Sequence, residues 1–418
     1  MIIPRLTDRP EPLRVVIVGG GAAAIIAAVH LFADADALPH GGLHVHLVER
    51  DAGFGPGLPY RTEHPRHTVN NFAERLSAVH GDPGHLIRWC AGRGLDLGAR
   101  SFPSRRLYGE YLASVLASIE VPADSALLRT QGEVVDLEPA ESRGWRVRLA
   151  GGETIEADRV VLALGTPPPH PMPHLERLGR HYLADPWSAE LPDRLDGVRR
   201  VLFLGTGLTM VDVAAQVHEL APRAELVAAS RHGELPRAHL VEPTDGTDWR
   251  DAVDAVRAFA NQLWQGLSPD DQGRFATAYA RRWDTHRHRM SPAMASHIAG
   301  LQSRGSLVVR TIDQVAPADF DLVVNCTGFR PVPSRGWNPL VDALLARGLL
   351  RANRLGLGVD LVQPGHPVGS DGEVIDTLFW LGAARKGLEW EVSAIPDLRE
   401  QAVALTQSVR RQPRLSAR

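Results

Sequence analysis

Twice along this chain an apolar, β-branched run ends in Gly-x-Gly and leads straight into a helical pattern, at Gly19 and again at Gly205. Few local signals restrict a fold as strongly, because each demands a strand, a tight turn and a helix in fixed order. Around the first turn the sequence reads as a strand over Arg14–Val18, a turn over Gly19–Gly21, a helix over Ala22–Ala33 and a second strand over Leu43–Val48 ending in Glu49. Such a βαβ unit implies a parallel sheet with right-handed crossovers. Around the second turn, Val201–Leu204 is the strand, Gly205-Thr-Gly207 the turn, Leu208–Glu219 the helix and Glu225–Ala229 the next strand.

The first turn, Gly19-Gly20-Gly21-Ala22-Ala23-Ala24, fits the dinucleotide fingerprint with alanine at its last small position. Gly19 permits the tight turn. Gly21, without a Cβ, lets a pyrophosphate reach the helix N-terminus, where free N–H groups and the helix dipole favour an anion. Ala24 is small enough for close helix–strand packing, and Glu49 is the expected acceptor for an adenosine ribose hydroxyl. In the second turn, Gly205-Thr-Gly207-Leu-Thr209-Met210, the third small residue is displaced. Ser230-Arg231 follows where NAD binders place an acid, and an arginine there suits the 2′-phosphate of NADPH. Arg231 also reads as an ordinary surface residue, since the 46 basic residues include a single lysine, Lys386. One cofactor needs one such turn, so two point to hydride passing from a nicotinamide to a flavin. The apolar strands ending in Ala163-Leu-Gly165 and Cys326-Thr-Gly328 fit backbone held close to a cofactor.

Composition excludes several classes. A formal charge of −3 over 418 residues gives no electrostatic footprint for nucleic acid or an anionic membrane. Cys90 and Cys326 make neither a disulfide framework nor a thiolate metal site, which fits a reducing cytoplasm. Met1–Arg14 holds prolines at 4 and 10 ahead of Glu11 and Arg14 and no apolar core, so no secretory signal is expected. Val15–Ala33 is apolar except for His30, but Gly19–Gly21 break it into strand, turn and helix rather than a membrane span. His40, His44 and His46 cluster, yet only His44 and His46 would share a strand face, so no metal site is expected. No Gly-x-Ser-x-Gly elbow is present for a serine hydrolase. Cys90 reads as core, and Cys326 has no CxxC partner for disulfide reduction.

Between the glycine turns, residues 51–101 are rich in Gly, Pro, His and Asn and read as a site-forming irregular region. Tyr108–Ile119 reads as a helix. Val134–Leu137, Trp145–Leu149 and Thr154–Ile155 read as a small antiparallel sheet, followed by a strand over Arg159–Leu164. Residues 250–302 carry helical periodicity, Leu307–Arg310 and Leu322–Cys326 are strands, and a further apolar stretch at Leu378–Leu381 precedes a helix from Val392 to Arg410.

With these segments in place the chain resembles the bacterial FAD/NAD(P)-binding proteins, two-dinucleotide-domain flavoproteins related to flavin monooxygenases and amine N-oxygenases. The resemblance covers nearly the whole chain and runs in order through Phe54-Gly-Pro-Gly-Leu-Pro-Tyr60, His67-Thr-Val-Asn70, Arg75-Leu-Ser-Ala78, Arg106-Leu-Tyr-Gly-Glu-Tyr111 and Asp185-Pro-Trp187. It continues through Ser230-Arg-His-Gly233, Arg287-His-Arg289, Asn325-Cys-Thr-Gly-Phe329 and Leu381-Gly-Ala-Ala-Arg-Lys-Gly387. It departs at Asn71-Phe72 and Leu76. The resemblance implies an α/β fold with two Rossmann-like domains, the NAD(P)H domain inserted into the FAD domain. The expected parts are residues 1–190 for the first FAD segment, 191–315 for the NADPH domain with a helical insertion, and 316–418 for the second FAD segment. The implied FAD set is Gly19, Gly21, Ala24, Glu49, Arg50, Val135, Gly165, Gly328 and Gly382. The NADPH set is Gly205, Gly207, Thr209, Ser230 and Arg231.

Candidate substrate residues carry two readings each. Asn70 is placed to hydrogen-bond the flavin or substrate, or to hold a loop turn. Arg282, His286 and Arg289 would share a helix face that either clamps a carboxylate or phosphate or is simply solvated, and Arg287 and Arg289 are the expected anchors. The resulting expectation is an NADPH-using flavin monooxygenase acting on a small molecule, plausibly an amine or amino acid, with dioxygen activated as a C4a-(hydro)peroxyflavin. A flavin reductase or dehydrogenase shares every motif, a flavin oxidase would bind FAD and leave the second turn vacant, and a non-catalytic regulator would hold FAD without turnover.

Overall fold

The computed structural model describes residues 11–33, 41–51, 53–140, 144–240, 242, 246 and 248–410. The prolines at 4 and 10 and His40, used in the readings above, lie outside them. Two five-stranded parallel sheets dominate. The first comprises β1 (Leu13–Val18), β2 (Leu43–Glu49), β3 (Ala126–Gln131), β7 (Arg159–Leu162) and β15 (Leu378–Trp380), in the order β15-β7-β1-β2-β3. Both faces of β1 are covered, as a parallel sheet requires. Val15 and Ile17 pack against the helices Ala22–Phe32, Arg105–Ala117 and Ile395–Arg410. Val16 and Val18 pack on the other side against the small antiparallel sheet of β4 (Val134–Pro139), β5 (Trp145–Leu149) and β6 (Thr154–Ala157), and against the helix Pro339–Ala346. All four valine and isoleucine side chains are buried, each contributing roughly 1.5–3 kcal/mol of transfer free energy.

The second sheet comprises β8 (Tyr182–Leu183), β9 (Arg200–Leu204), β10 (Glu225–Ser230), β11 (Leu307–Thr311) and β12 (Leu322–Asn325), in the order β11-β10-β9-β12-β8. It repeats the first: β9 stands for β1, β10 for β2, β11 for β3, β12 for β7 and β8 for β15. The two turns are also pinned alike. Gly19 N–H donates to Val48 O at 2.8 Å and Ala163 N–H to Val18 O at 2.9 Å; Gly205 N–H donates to Ala229 O at 2.7 Å and Cys326 N–H to Leu204 O at 2.8 Å. A short hairpin of β13 (Leu361–Val362) and β14 (His366–Pro367) completes the strands.

Three features differ from the expectation. Residue 316 does not separate the units, because β12 pairs with β9 and β8 in the second sheet; the chain re-enters the first unit only after Phe329. The edge strands β3 and β8 carry weak sequence signals: β3 exposes Leu128, and β8 is two residues long. The helical 250–302 region breaks into separate helices, among them Trp249–Ala258, Ala260–Gly266, Ala280–Arg287 and Pro292–Ser303. Where the chain leaves and rejoins the first unit its two segments are bridged, Pro169 to Phe329, with Arg330 N–H donating to Pro168 O at 3.2 Å.

Candidate functional site

A cleft of about 470 Å³ opens along the carboxyl ends of the first sheet's strands. Its walls come from the first glycine turn, from Val48–Asp51, from Pro56–Arg61, from Gly132–Val134, from Ala163–Thr166 and from Leu381–Ala383, together with Asp185, Trp187, Asn338, Ser393 and Leu398. This is the place where open α/β sheets hold ligands, outside the strand ends where the order reverses. The cleft reaches from β15 to beyond β2, three strand spacings or about 14 Å, so it suits an extended ligand.

The turn itself is shaped for an anion. Gly19 has φ 122°, and a Cβ there would come within 3.0 Å of the Ala163 carbonyl carbon. Gly21 is the N-cap of the helix Ala22–Phe32 and offers no side-chain cap, which leaves the first-turn N–H groups facing the cleft. A Cβ on Gly21 would meet Gly57 Cα at 3.3 Å, so the loop Pro56–Tyr60 crosses close over the turn. The Glu49 carboxylate accepts from Gly20 N–H at 2.6 Å and Asp51 N–H at 3.0 Å, and it lines the cleft beside Arg50.

At the second turn Gly205 has φ 108°, and Gly207 caps the helix Leu208–Leu220, again without a side-chain cap. Thr206 Oγ1 donates to Ser230 Oγ at 2.9 Å, and Ser230 Oγ accepts from Gly233 N–H at 3.1 Å. Ser230 therefore fastens the loop after β10 to the turn. Arg231 is exposed and makes no ion pair among the described residues. Thr209 lies half-buried in the first helical turn.

A buried junction joins the units. Arg105 pairs with Asp212 on the helix Leu208–Leu220, and its guanidinium stands 5.5 Å from the Trp187 ring centroid. His67 Nε2–H donates to Asp212 O at 3.1 Å, while Thr62 Oγ1 donates to His67 Nδ1 at 2.7 Å. Burial raises the Asp212 carboxyl to about 6 against the opposing pull of Arg105. Burial, helped by His64 and Arg105, lowers His67 to about 4. His239 Nε2–H donates to the Asn70 carbonyl at 3.3 Å, and burial followed by Arg289 lowers that imidazole to about 4.

Of the expected FAD set, Gly19, Gly21, Glu49, Arg50, Gly165 and Gly382 line the cleft. Ala24 is fully buried in the core and does not line it. Val135 sits where the β4–β5 register breaks, while its neighbours Gly132–Val134 form the wall. Gly328 lies elsewhere: it follows β12 at the second turn, where Gly205 approaches Cys326. Asn70 contributes its backbone carbonyl to His239.

The arginine anchors are not free. The helix ends at Arg287, and His288 turns the chain at φ −90°, ψ 84°, so Arg289 leaves the face expected for Arg282 and His286. Arg289 is 2 % exposed and donates from Nη2 to Asp254 Oδ1 at 2.6 Å and from Nε to His286 O at 2.8 Å. Arg287 is buried with Glu391 at 3.3 Å. Sequence reading assigned no role to Asn338, Ser393, Asp185 or Trp187. Asn338 was findable, since Asn-Pro ahead of an apolar run marks a helix N-cap, and its Oδ1 accepts from Val341 N–H.

Paired glycine turns on two like sheets, one of them edging a long cleft, define a protein with two dinucleotide-binding units. Residues 16–167 match the family model described as FAD-NAD(P)-binding. Among solved structures, the ornithine hydroxylase of Pseudomonas aeruginosa shares the fold at TM-score 0.67 and 15% identity, over 95% of this chain and 98% of that one. L-lysine 6-monooxygenase from Pseudomonas syringae gives 0.65 and 17%, over 95% and 99%. The cadaverine monooxygenase of Erwinia amylovora, bound to FAD, gives 0.66 and 12%, over 96% and 95%. At these identities the likeness is one of fold. No curated protein sequence matches the chain. No helix among the described residues is long and apolar enough to cross a membrane.

Proposed function

We propose that this chain is an FAD-dependent, NADPH-using monooxygenase that oxygenates a small nucleophilic substrate, an amine or amino acid. The observation that carries the reading is the pair of glycine turns, each uncapped at its helix N-terminus and each pinned by the same two backbone hydrogen bonds. The amine class is supported by the fold neighbours, which are an ornithine hydroxylase, an L-lysine 6-monooxygenase and a cadaverine monooxygenase.

FAD would lie along the first cleft, and it supplies the two-electron store that a nicotinamide fills and dioxygen empties. The N–H groups after Gly21 would hold its pyrophosphate, Glu49 its ribose, and Gly132–Val134 and Arg50 would flank the adenosine. The loop Pro56–Tyr60 crosses close to the turn, with Gly57 against Gly21. At the second turn Gly207 would let NADPH approach, and Arg231 would take its 2′-phosphate.

The test is an absorption spectrum of FAD-loaded protein, taken anaerobically after NADPH and then NADH. The flavin band is expected to bleach faster with NADPH and to return in air, and Arg231→Glu is expected to reverse the coenzyme preference. Failure to retain FAD after reconstitution defeats the reading. A flavin reduced by NADPH that consumes oxygen without product across a panel of amines makes the chain a reductase instead.

A further inference from the structure

Of the cleft's lining residues, Asp185 and Trp187 belong to the second unit: they follow β8, the edge strand of the second sheet. Because β8 runs parallel to β12 and β9, its carboxyl end lies on the same edge as the Gly205 turn, two strand spacings or about 10 Å away. These two side chains therefore stand where the unit bearing the second turn meets the cleft of the first.

The chemistry of the corner is specific. Asp185 Oδ1 accepts the Trp187 backbone N–H at 3.0 Å, which orients the carboxylate within the turn, and no cation pairs with Asp185 among the described residues. The other lining carboxylates, Glu49, Asp51 and Glu133, lie near Arg50 and Arg61 by the strand ends of β2 and β3, and Arg61 Nη1 donates to Asp51 Oδ2 at 2.8 Å. Among the walls contributed by residues 163–398, Asp185 is the sole charged residue. Trp187 lines the cleft beside it, and its indole carries the Arg105 guanidinium at 5.5 Å, so the ring is one that a cation favours. Arg105 does not neutralise Asp185, because its guanidinium is engaged by Asp212.

We infer that Asp185, with the ring of Trp187, is the specificity determinant for a positively charged amine at the mouth of the flavin site. The inference deepens the reading proposed above and rests on it. An ammonium group would be held between a carboxylate acceptor and an aromatic face. A neutral alcohol of the same length would lack the charge that pairs with the carboxylate, and a carboxylate would be repelled by it.

Binding is measured without turnover, by the flavin difference spectrum and by calorimetry on FAD-loaded protein, with 1,5-diaminopentane, L-ornithine and the neutral analogue 1,5-pentanediol. At least one of the two amines is expected to bind well ahead of the diol. Asp185→Asn is expected to weaken that amine about 10- to 100-fold, the worth of a charge-assisted hydrogen bond, and to leave the diol unchanged. Asp185→Glu is expected to recover part of the loss, which a merely structural defect would not. Retained FAD and an unchanged melting temperature in Asp185→Asn would show that the turn still folds. Equal binding of amines and diol, or an Asp185→Asn protein that binds the amine as wild type does, overturns the inference. NADPH reduction is followed separately. If it fails while Asp185-dependent amine binding holds, the relay is wrong and the corner is right; if reduction proceeds while amine binding ignores Asp185, the reverse is true.

Discussion

Replacing each glycine of the second turn by alanine separates the two jobs assigned to it. Gly205 has φ 108°, and an alanine Cβ there would lie 2.7 Å from the Cys326 carbonyl carbon and 3.2 Å from Thr327 N, both backbone atoms. The left-handed conformation costs alanine about 1–2 kcal/mol, and displacing the neighbouring strand end adds about 1–3 kcal/mol. A loss of about 3 kcal/mol lowers the melting temperature of a domain of roughly 150–250 residues by about 6–12 °C. Gly207 is different. It has φ −81° and ψ −171°, open to any residue, and a Cβ would meet nothing within 4 Å. Gly207→Ala is therefore expected to keep or raise the melting temperature, by the roughly 0.4–1 kcal/mol of chain entropy removed from the unfolded state. Its methyl group would stand where a pyrophosphate must approach, so NADPH affinity is expected to fall by about tenfold or more, equivalent to about 1.4 kcal/mol. Calorimetric melting and NADPH titration of both variants give the answer. A Gly205→Ala protein as stable as wild type would refute the steric argument, and a Gly207→Ala protein that binds NADPH normally would refute the placement of the nucleotide.

Two further outcomes follow from the buried charges. Arg289→Met is expected to cost about 3 kcal/mol in denaturant unfolding, at the low end for a broken buried pair because the Asp254 side chain is 26% exposed and can rehydrate. The rate of flavin reduction by NADPH in the folded fraction is expected to stay within about twofold. A large kinetic defect at normal stability would restore Arg289 as a ligand-binding residue. His67 is held down to about 4, so between pH 6.5 and 4 the unfolded chain takes up a proton that the folded one refuses. Stability tied to His67 is therefore intact above pH 6.5 and lost as the pH falls toward 4, by up to about 3 kcal/mol. Unfolding of His67→Asn compared with wild type at pH 7 and pH 5 is expected to show a shallower pH dependence; identical slopes would contradict it.

Local patterns made much of this fold legible. Both glycine turns, the small antiparallel sheet and the C-terminal helix could be read because each depends on contiguous residues. Gly328 shows where such reading stops. Leu322–Asn325 before Cys-Thr-Gly and Arg159–Leu162 before Ala-Leu-Gly are the same kind of strand, and only pairing with β9 rather than β1 decides which unit each serves. Pairing is a long-range choice with no local signature. The arginines failed for a related reason. Helical spacing placed Arg289 on an outward face, but the backbone turns at His288 and the acids that claim the two guanidiniums, Asp254 and Glu391, come from distant segments. Asp185 and Trp187 were visible as a motif, yet nothing adjacent says that a two-residue edge strand delivers them to another unit's cleft.

The interleaving of the two units has a consequence for synthesis. The second sheet has all five strands once Asn325 has left the ribosome, whereas the first still lacks β15 and the helix Ile395–Arg410 that covers Ile25 and its neighbours. The unit begun first is thus finished last, and until residue 410 emerges its opening helix keeps an apolar flank open to chaperones and to neighbouring chains.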